Sequence, residues 1–277
     1  MKGATRRFPH TRIFTIDTLA LAKGKHHIGA LLELDVTESR SRLRLLRRQR
    51  AGGEPASFLG WVLKCLSQAI SEYPEVCAIY IPKRKLLLLP TVDLNVAVER
   101  EVQGQRVPLP VVIRDAGGKS IEQLSAEVRR AQEEPLSEQI VLGAGRARLS
   151  ERLYCLLPAW LRRIALRWVL LQPESYRTRM GTVSVTSVGM FGKINGWFLP
   201  LGITPLIVGL GTITRKPWAH ENAVRLRDIL HLSLLLDHDV LDGAPMARFV
   251  ARLSELLEKA WGLPAGEPAG EPRRGER

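Results

Sequence analysis

Between residues 181 and 237 the chain carries three apolar runs, TVSVTSV, PLIVGLGTIT and DILHLSLLLD, and the last passes through HDVLDG into a segment of helical pattern. Runs this rich in leucine and β-branched residues, and this poor in charge, are strands that must lie inside a sheet. The segment over 244 to 261 sets Met246, Phe249, Val250, Leu253, Leu256, Leu257 and Trp261 on one stripe, so it forms a helix that covers an apolar surface. A buried sheet with at least one covering helix is the constraint that the rest of the chain has to satisfy.

The first half supplies more of both layers. IGALLELDV at 28 to 36 reads as a buried strand, and Thr37 is placed to cap a basic amphipathic helix over 37 to 50. SFLGWVLKCLSQAISE at 57 to 72 reads as a more buried helix, ended by Tyr73-Pro74 because the residue before proline leaves the helical region. Strands follow at 85 to 89, 92 to 98 and 107 to 114, the second with alternating Val92, Leu94, Val96 and Val98. Ser120 and Gln123 have capping-box spacing and open a helix to about Glu134. Strands and helices do not alternate strictly, which favours an α+β mixed-sheet sandwich over a doubly wound parallel fold.

With 277 residues, 45% of them hydrophobic, the chain is long enough for one large domain. Its 41 Lys and Arg against 28 Asp and Glu give a net charge of +13, which suits anionic partners: nucleic acid, anionic lipid or a phosphorylated cofactor. Cys65, Cys77 and Cys155 sit in apolar runs without a CxxC pair, as expected of buried, reduced thiols in the cytoplasm. Arg6-Arg7 is followed by no apolar stretch of signal type, and no uncharged segment is long enough to span a bilayer. The tail from 263 to 277 repeats AGEP and is too poor in large apolar residues to fold. No nucleic-acid motif accompanies the basic helix at 37 to 50, no GxGxxG or GxxxxGK spacing occurs among the glycines after 188, and no metal-ligand spacing accompanies His26-His27, His10, His220 or His231. Neither nucleic acid nor a metal is expected.

HDVLDG carries the chemistry. HxxxDG alone would arise by chance in about a few per cent of chains this long, and on the motif alone a satisfied histidine in a helix-capping turn is the better explanation. A histidine held rigidly at the mouth of a buried strand is also suited to take and return a proton near neutral pH. Asp242, four residues on, is placed to pair with an arginine, and Gly243 to allow a tight turn into the helix.

DHDVLDGAPMARFVARLSELLE resembles the end of the catalytic domain of dihydrolipoyl acyltransferases of 2-oxo acid dehydrogenase complexes. The likeness continues upstream through GTVSVTSVGMFG, VPLPVVIRDAGGKSIEQLSAE, YPEVCA and LELDVTESRSRLRLLRRQ, in family order over most of residues 27 to 260. The resemblance implies the chloramphenicol acetyltransferase-like fold, an acyltransferase domain over 1 to 262, and acyl-coenzyme A as substrate. It implies His238 as the base that deprotonates a thiol of coenzyme A or dihydrolipoamide, Thr186 as the hydroxyl that stabilises the oxyanion with Ser187 beside it, and Asp242 in a mainly structural role. It also implies a homotrimer whose sites lie between subunits. The competing reading is an inactive trimeric scaffold that binds a dehydrogenase component or a membrane surface.

Three features depart from the family. Asp239 stands where an arginine usually follows the histidine. No lipoyl or peripheral subunit-binding domain is recognisable, so a lipoyl group would come on a separate protein, and dehydrogenase subunits are candidate partners. An insertion at about 135 to 180, mostly helical, separates the helix after Ser120 from the strand at Thr182. In it Leu153, Leu156, Leu157, Trp160, Leu161, Ile164, Trp168 and Leu171 have helical spacing among arginines, and Pro158 breaks the run. The segment from 149 to 171 is open to three readings: a hairpin packed on its own core or a subunit interface, a peripheral membrane contact, or a lid over an acyl chain.

Overall fold

In chain order the elements are α1 (Thr11–Ala22), β1 (His27–Asp35), α2 (Thr37–Gln49), α3 (Phe58–Glu72), β2 (Ile79–Ile81), β3 (Lys85–Leu87), β4 (Leu94–Val102), β5 (Gln105–Ile113), α4 (Ile121–Glu133), α5 (Leu149–Leu156), α6 (Ala159–Leu170), α7 (Pro173–Met180), β6 (Val183–Ser187), β7 (Leu206–His220), β8 (Ala223–Asp237) and α8 (Gly243–Glu258). The computed structural model describes residues 11–49, 55–81, 84–102, 105–133, 149–188 and 195–265. Arg6-Arg7, His10, the stretch from 134 to 148, the GMFG turn and residues 266–277 of the tail lie outside them.

The three apolar runs become β6, β7 and β8 in a six-stranded sheet of order β1-β8-β7-β6-β4-β5. β4, β6 and β7 run parallel, while β1, β8 and β5 are antiparallel to their neighbours, so the mixed α+β sheet expected from the sequence is the one that forms. Alternation sends Leu94, Val96, Val183, Val185, Leu206, Val208, Leu232 and Leu234 into one core with α2, α3, α4 and α8. Trp61 of α3 is wholly buried there and donates its Nε1–H to the Trp261 carbonyl at 2.9 Å. The Ser120 capping box closes as its spacing requires, with Gln123 N–H on Ser120 Oγ at 3.2 Å and Ser120 N–H on Gln123 Oε1 at 2.8 Å.

Several details differ from the sequence reading. Thr37 does not cap α2 with its side chain: its hydroxyl donates to Asp35 Oδ1 at 2.6 Å and accepts the Asp228 N–H at 2.8 Å, because Asp35 two residues earlier already receives the Thr37 N–H. β7 and β8 extend well beyond their apolar runs and join at Glu221-Asn222, both with positive φ (48° and 61°), as a two-residue hairpin turn requires. Arg215, Pro217, Arg225 and Arg227 hid this extension, since an arm that leaves the core needs no apolar pattern. Cys65 and Cys77 are buried, and burial raises both thiols above their ordinary range, but Cys155 on α5 is only half-buried.

Over β1, β7 and β8 the opposite face of the sheet is crossed by residues 195–203. Trp197 stacks edge-on against buried His231 and donates to the Leu32 carbonyl, and Ser233 Oγ donates to the Phe198 carbonyl. Gly209 makes this possible: a Cβ there would lie 2.3 Å from Ser233 Oγ and 2.8 Å from the Phe198 oxygen. Gly209→Ala is therefore expected to lower the denaturation midpoint by the equivalent of about 1–3 kcal/mol. Ser233→Gly added to it should restore part of the loss; no recovery in the double variant would mean that the clash lies elsewhere.

A second, smaller core joins α1, α6, α7 and the β2–β3 hairpin through Ala22, Ile79, Tyr176, Met180 and Ile203. Its fastening is ionic. Asp17 of α1 is fully buried and accepts from Arg162 Nε at 2.7 Å and Tyr154 Oη at 3.1 Å, with Arg163 Nε at 3.5 Å. Burial and the Asp17 carboxylate push the Tyr154 phenol up to about 12.

Candidate active site

Asp237 ends β8 and is buried, and the HDVLDG turn is built on it. Its carbonyl accepts the Val240 and Leu241 N–H groups at 3.2 and 3.3 Å, and its Oδ1 accepts the Asp239 N–H at 3.2 Å. A buried carboxylate needs a cation as well, and Lys25 Nζ supplies it at 2.6 Å from Oδ2. The His238 N–H donates to the His26 carbonyl at 2.9 Å, which extends the β1–β8 pairing by one residue beyond the strand. His238 is thus held by its backbone while the residue is exposed to solvent just past the C-terminal end of β8.

Asp239 faces a partner of its own. Its Oδ1 lies 2.7 Å from His26 Nδ1, and both side chains are exposed. The residue that departs from the family is therefore engaged by the neighbouring strand end and not by His238. The other histidine of the pair, His27, binds the Thr204 carbonyl through Nε2 at 3.0 Å.

Asp242 takes the N-cap position of α8 (φ −81°, ψ 166°) and its carbonyl accepts the Met246 N–H, but its side chain makes no capping hydrogen bond. The expected arginine pairing is not formed among the described residues, because the carboxylate points to solvent from an exposed turn. Gly243 is the first helical residue, has no positive φ and has open space around its Cβ position, so the turn does not require a glycine. The Asp237 turn has already redirected the chain.

Thr186 and Ser187 are consecutive on β6 and point to opposite faces. Val183, Val185 and hence Ser187 face the helices, whereas Thr186 shares the other face with Ser184 and Gly209. Thr186 pairs with Gly209, which pairs with Ser233, and His238 is five residues beyond Ser233. At about 3.3 Å per residue and about 4.8 Å per strand, His238 and Thr186 of one chain are roughly 19 Å apart. A single copy does not bring them together.

Lys25, His26 and Asp237 are the residues that sequence reasoning passed over. Asp237 had a signal, since a carboxylate at the end of a run of buried leucines must find a counter-charge. Lys25, 212 residues away, had none. Among the described residues no group of three His, Cys, Asp or Glu side chains is arranged to hold a metal.

The dihydrolipoyllysine-residue acetyltransferase component of the pyruvate dehydrogenase complex of Pseudomonas aeruginosa is 26% identical over 266 residues, 92% of this chain and 41% of that one. Two solved structures share the fold. A probable dihydrolipoamide acetyltransferase from Listeria monocytogenes has a TM-score of 0.67 at 17% identity, covering 94% of this chain and 96% of that one. The dihydrolipoamide acetyltransferase of Azotobacter vinelandii, investigated for the roles of a serine, a histidine and an asparagine in its catalytic mechanism, has a TM-score of 0.65 at 22% identity, covering 92% of each chain. The chain spans less than half the length of the first curated relatives it matches. The profile of 2-oxoacid dehydrogenases acyltransferase (catalytic domain) matches residues 4–141 and 169–264, passing over 142–168 and taking in both β6 and the HDVLDG turn. By that match the chain belongs to the family of 2-oxoacid dehydrogenase acyltransferase catalytic domains.

Proposed function

We propose that the protein is an acyltransferase that moves an acyl group between coenzyme A and a thiol of dihydrolipoamide type, with its active sites between the copies of a homotrimer. The observation that carries this reading is the pairing of family membership with distance. The intervals from Thr186 to His238, 52 residues, and from His238 to Asp242, four, equal those between the serine, histidine and asparagine investigated in the Azotobacter vinelandii enzyme. In one chain the first two are too far apart to touch one carbonyl. A second copy supplies the missing half, and exposed Ile28, Leu31, Leu199 and Leu201 give it an apolar surface to cover.

In this reading the His238 imidazole takes the proton of the attacking thiol, and the thiolate adds to the thioester carbonyl of the other substrate. The Thr186 hydroxyl of the neighbouring copy donates to the resulting oxyanion, an interaction worth about 3 kcal/mol in sites of this kind. Collapse breaks the original C–S bond, and the departing thiolate recovers the proton from the imidazolium. Ser187 is the weaker candidate for the hydroxyl, because β-alternation turns it toward the helices. Asp242 occupies the N-cap of α8 through its backbone alone. The catalytic unit extends over residues 1–262 with the insertion at about 135–180, and a lipoyl-bearing domain or dehydrogenase subunits are its partners.

Mixing tests the arrangement directly. His238→Ala and Thr186→Ala chains are each expected to be nearly inactive, whereas trimers reassembled from equal amounts should recover about one quarter of wild-type turnover, since a quarter of the interfaces then pair an intact histidine with an intact hydroxyl. Turnover is read with acyl-coenzyme A and dihydrolipoamide. A mixture no more active than its parents would place both residues in one subunit's site, or in none.

A further inference from the structure

The helices α5 and α6 expose a continuous apolar stripe. Leu153, Leu156, Trp160, Ile164, Trp168 and Leu171 follow one another at intervals of three and four residues, and their exposure ranges from 41% for Leu171 to 81% for Leu156. The reading in which this segment packs on its own core holds for the other side only, where Leu166 is buried, Leu170 joins the second core and Arg162 is tied to Asp17. The stripe is left facing outward on two consecutive helices that Tyr154 and Arg162 tie to Asp17. It also falls within residues 142–168 for all but its last member, the stretch that the family match passes over, so nothing the family's core requires accounts for it.

What it faces is indicated by charge and residue type. Arg163 and Arg167 are exposed and lie along one edge of the stripe at helical spacing. From 149 to 171 the sequence has four arginines and a single acidic residue, Glu151, in a chain of net charge +13. Two tryptophans among leucines with arginines at the margin is the composition of a helix that lies in the headgroup region of a bilayer. Helices of 8 and 12 residues are too short to span one. Two copies laid antiparallel on this face would set their arginine edges on the same side, which disfavours that pairing. We propose that the α5–α6 segment docks the protein on the surface of an anionic lipid bilayer, Trp160 and Trp168 entering the interface and Arg167 pairing with headgroup phosphates. The inference is independent of the acyl-transfer reading.

The test is flotation of the full chain with phosphatidylcholine vesicles and with vesicles half of phosphatidylglycerol, at low and high salt. The protein should float with the anionic vesicles and release as salt rises. Trp160→Ser/Trp168→Ser should lower the bound-to-free ratio by about tenfold or more. Arg167→Glu, which leaves the Asp17 cluster intact, should reduce the preference for anionic lipid, and it decides the matter if the tryptophan variant melts abnormally. No flotation with anionic vesicles, or binding that neither variant weakens, overturns the proposal. So does a change of oligomeric state in sedimentation when the tryptophans are replaced, which would assign the stripe to a contact between copies.

Discussion

His238→Ala is expected to reduce thioester exchange between acyl-coenzyme A and dihydrolipoamide by about 10²–10⁴-fold, the range spanned by loss of a positioned general base. The fold should not notice. The residue is exposed, and the bond that fixes it, from its N–H to the His26 carbonyl, is a backbone bond that alanine keeps. Neither Cys65 nor Cys77 can substitute as a nucleophile, because burial keeps both thiols protonated. Turnover measured alongside the melting temperature separates chemistry from stability: an unchanged melt with activity above a tenth of wild type would move the base to another group, with His26 the first to examine.

Lys25→Met should give the largest loss of stability near the site. It leaves the Asp237 carboxylate buried with the Asp239 N–H and no cation, and breaking a buried pair by removing one partner costs about 3–5 kcal/mol. For a chain of this size that corresponds to a fall in Tm on the order of 6–20 °C. Turnover should fall as well when measured well below the melt, because the turn that presents His238 is hung on the same carboxylate. Lys25→Arg, which restores a cation, should recover most of both. If Lys25→Met keeps full kcat at low temperature, the pair supports the fold alone and does not position the histidine.

The parts of this molecule that were readable from its residues are those decided locally. Alternation placed Leu94, Val96 and Val98 in the core, the stripe from Met246 to Leu257 located α8, and the spacing of Ser120 and Gln123 gave a cap that closes as written. His238 and Thr186 were legible as a likeness over most of the chain, and their placement at separate ends of the sheet follows from a strand register that no local pattern encodes. Contacts between distant residues were hidden for the same reason. Nothing near Lys25 announces Asp237, nothing near Asp17 announces Arg162, and α1 itself gave no helical signal because its stability comes from the second core and that ion pair. The insertion was legible as helical and apolar, but which of its sides would be covered depended on where α1 came to rest.

That ion pair also has a timetable. Asp17 and Arg162 are 145 residues apart, so at about 5–20 residues per second a ribosome delivers the arginine roughly 7–30 s after the aspartate. Throughout that interval α1 has no counter-charge to dock against, and Asp17 has to remain hydrated. The helix α1, made well before its partners, is thus among the last of the described elements to find its place, and until then the nascent chain carries Phe14 and Leu21 without the second core that later covers them.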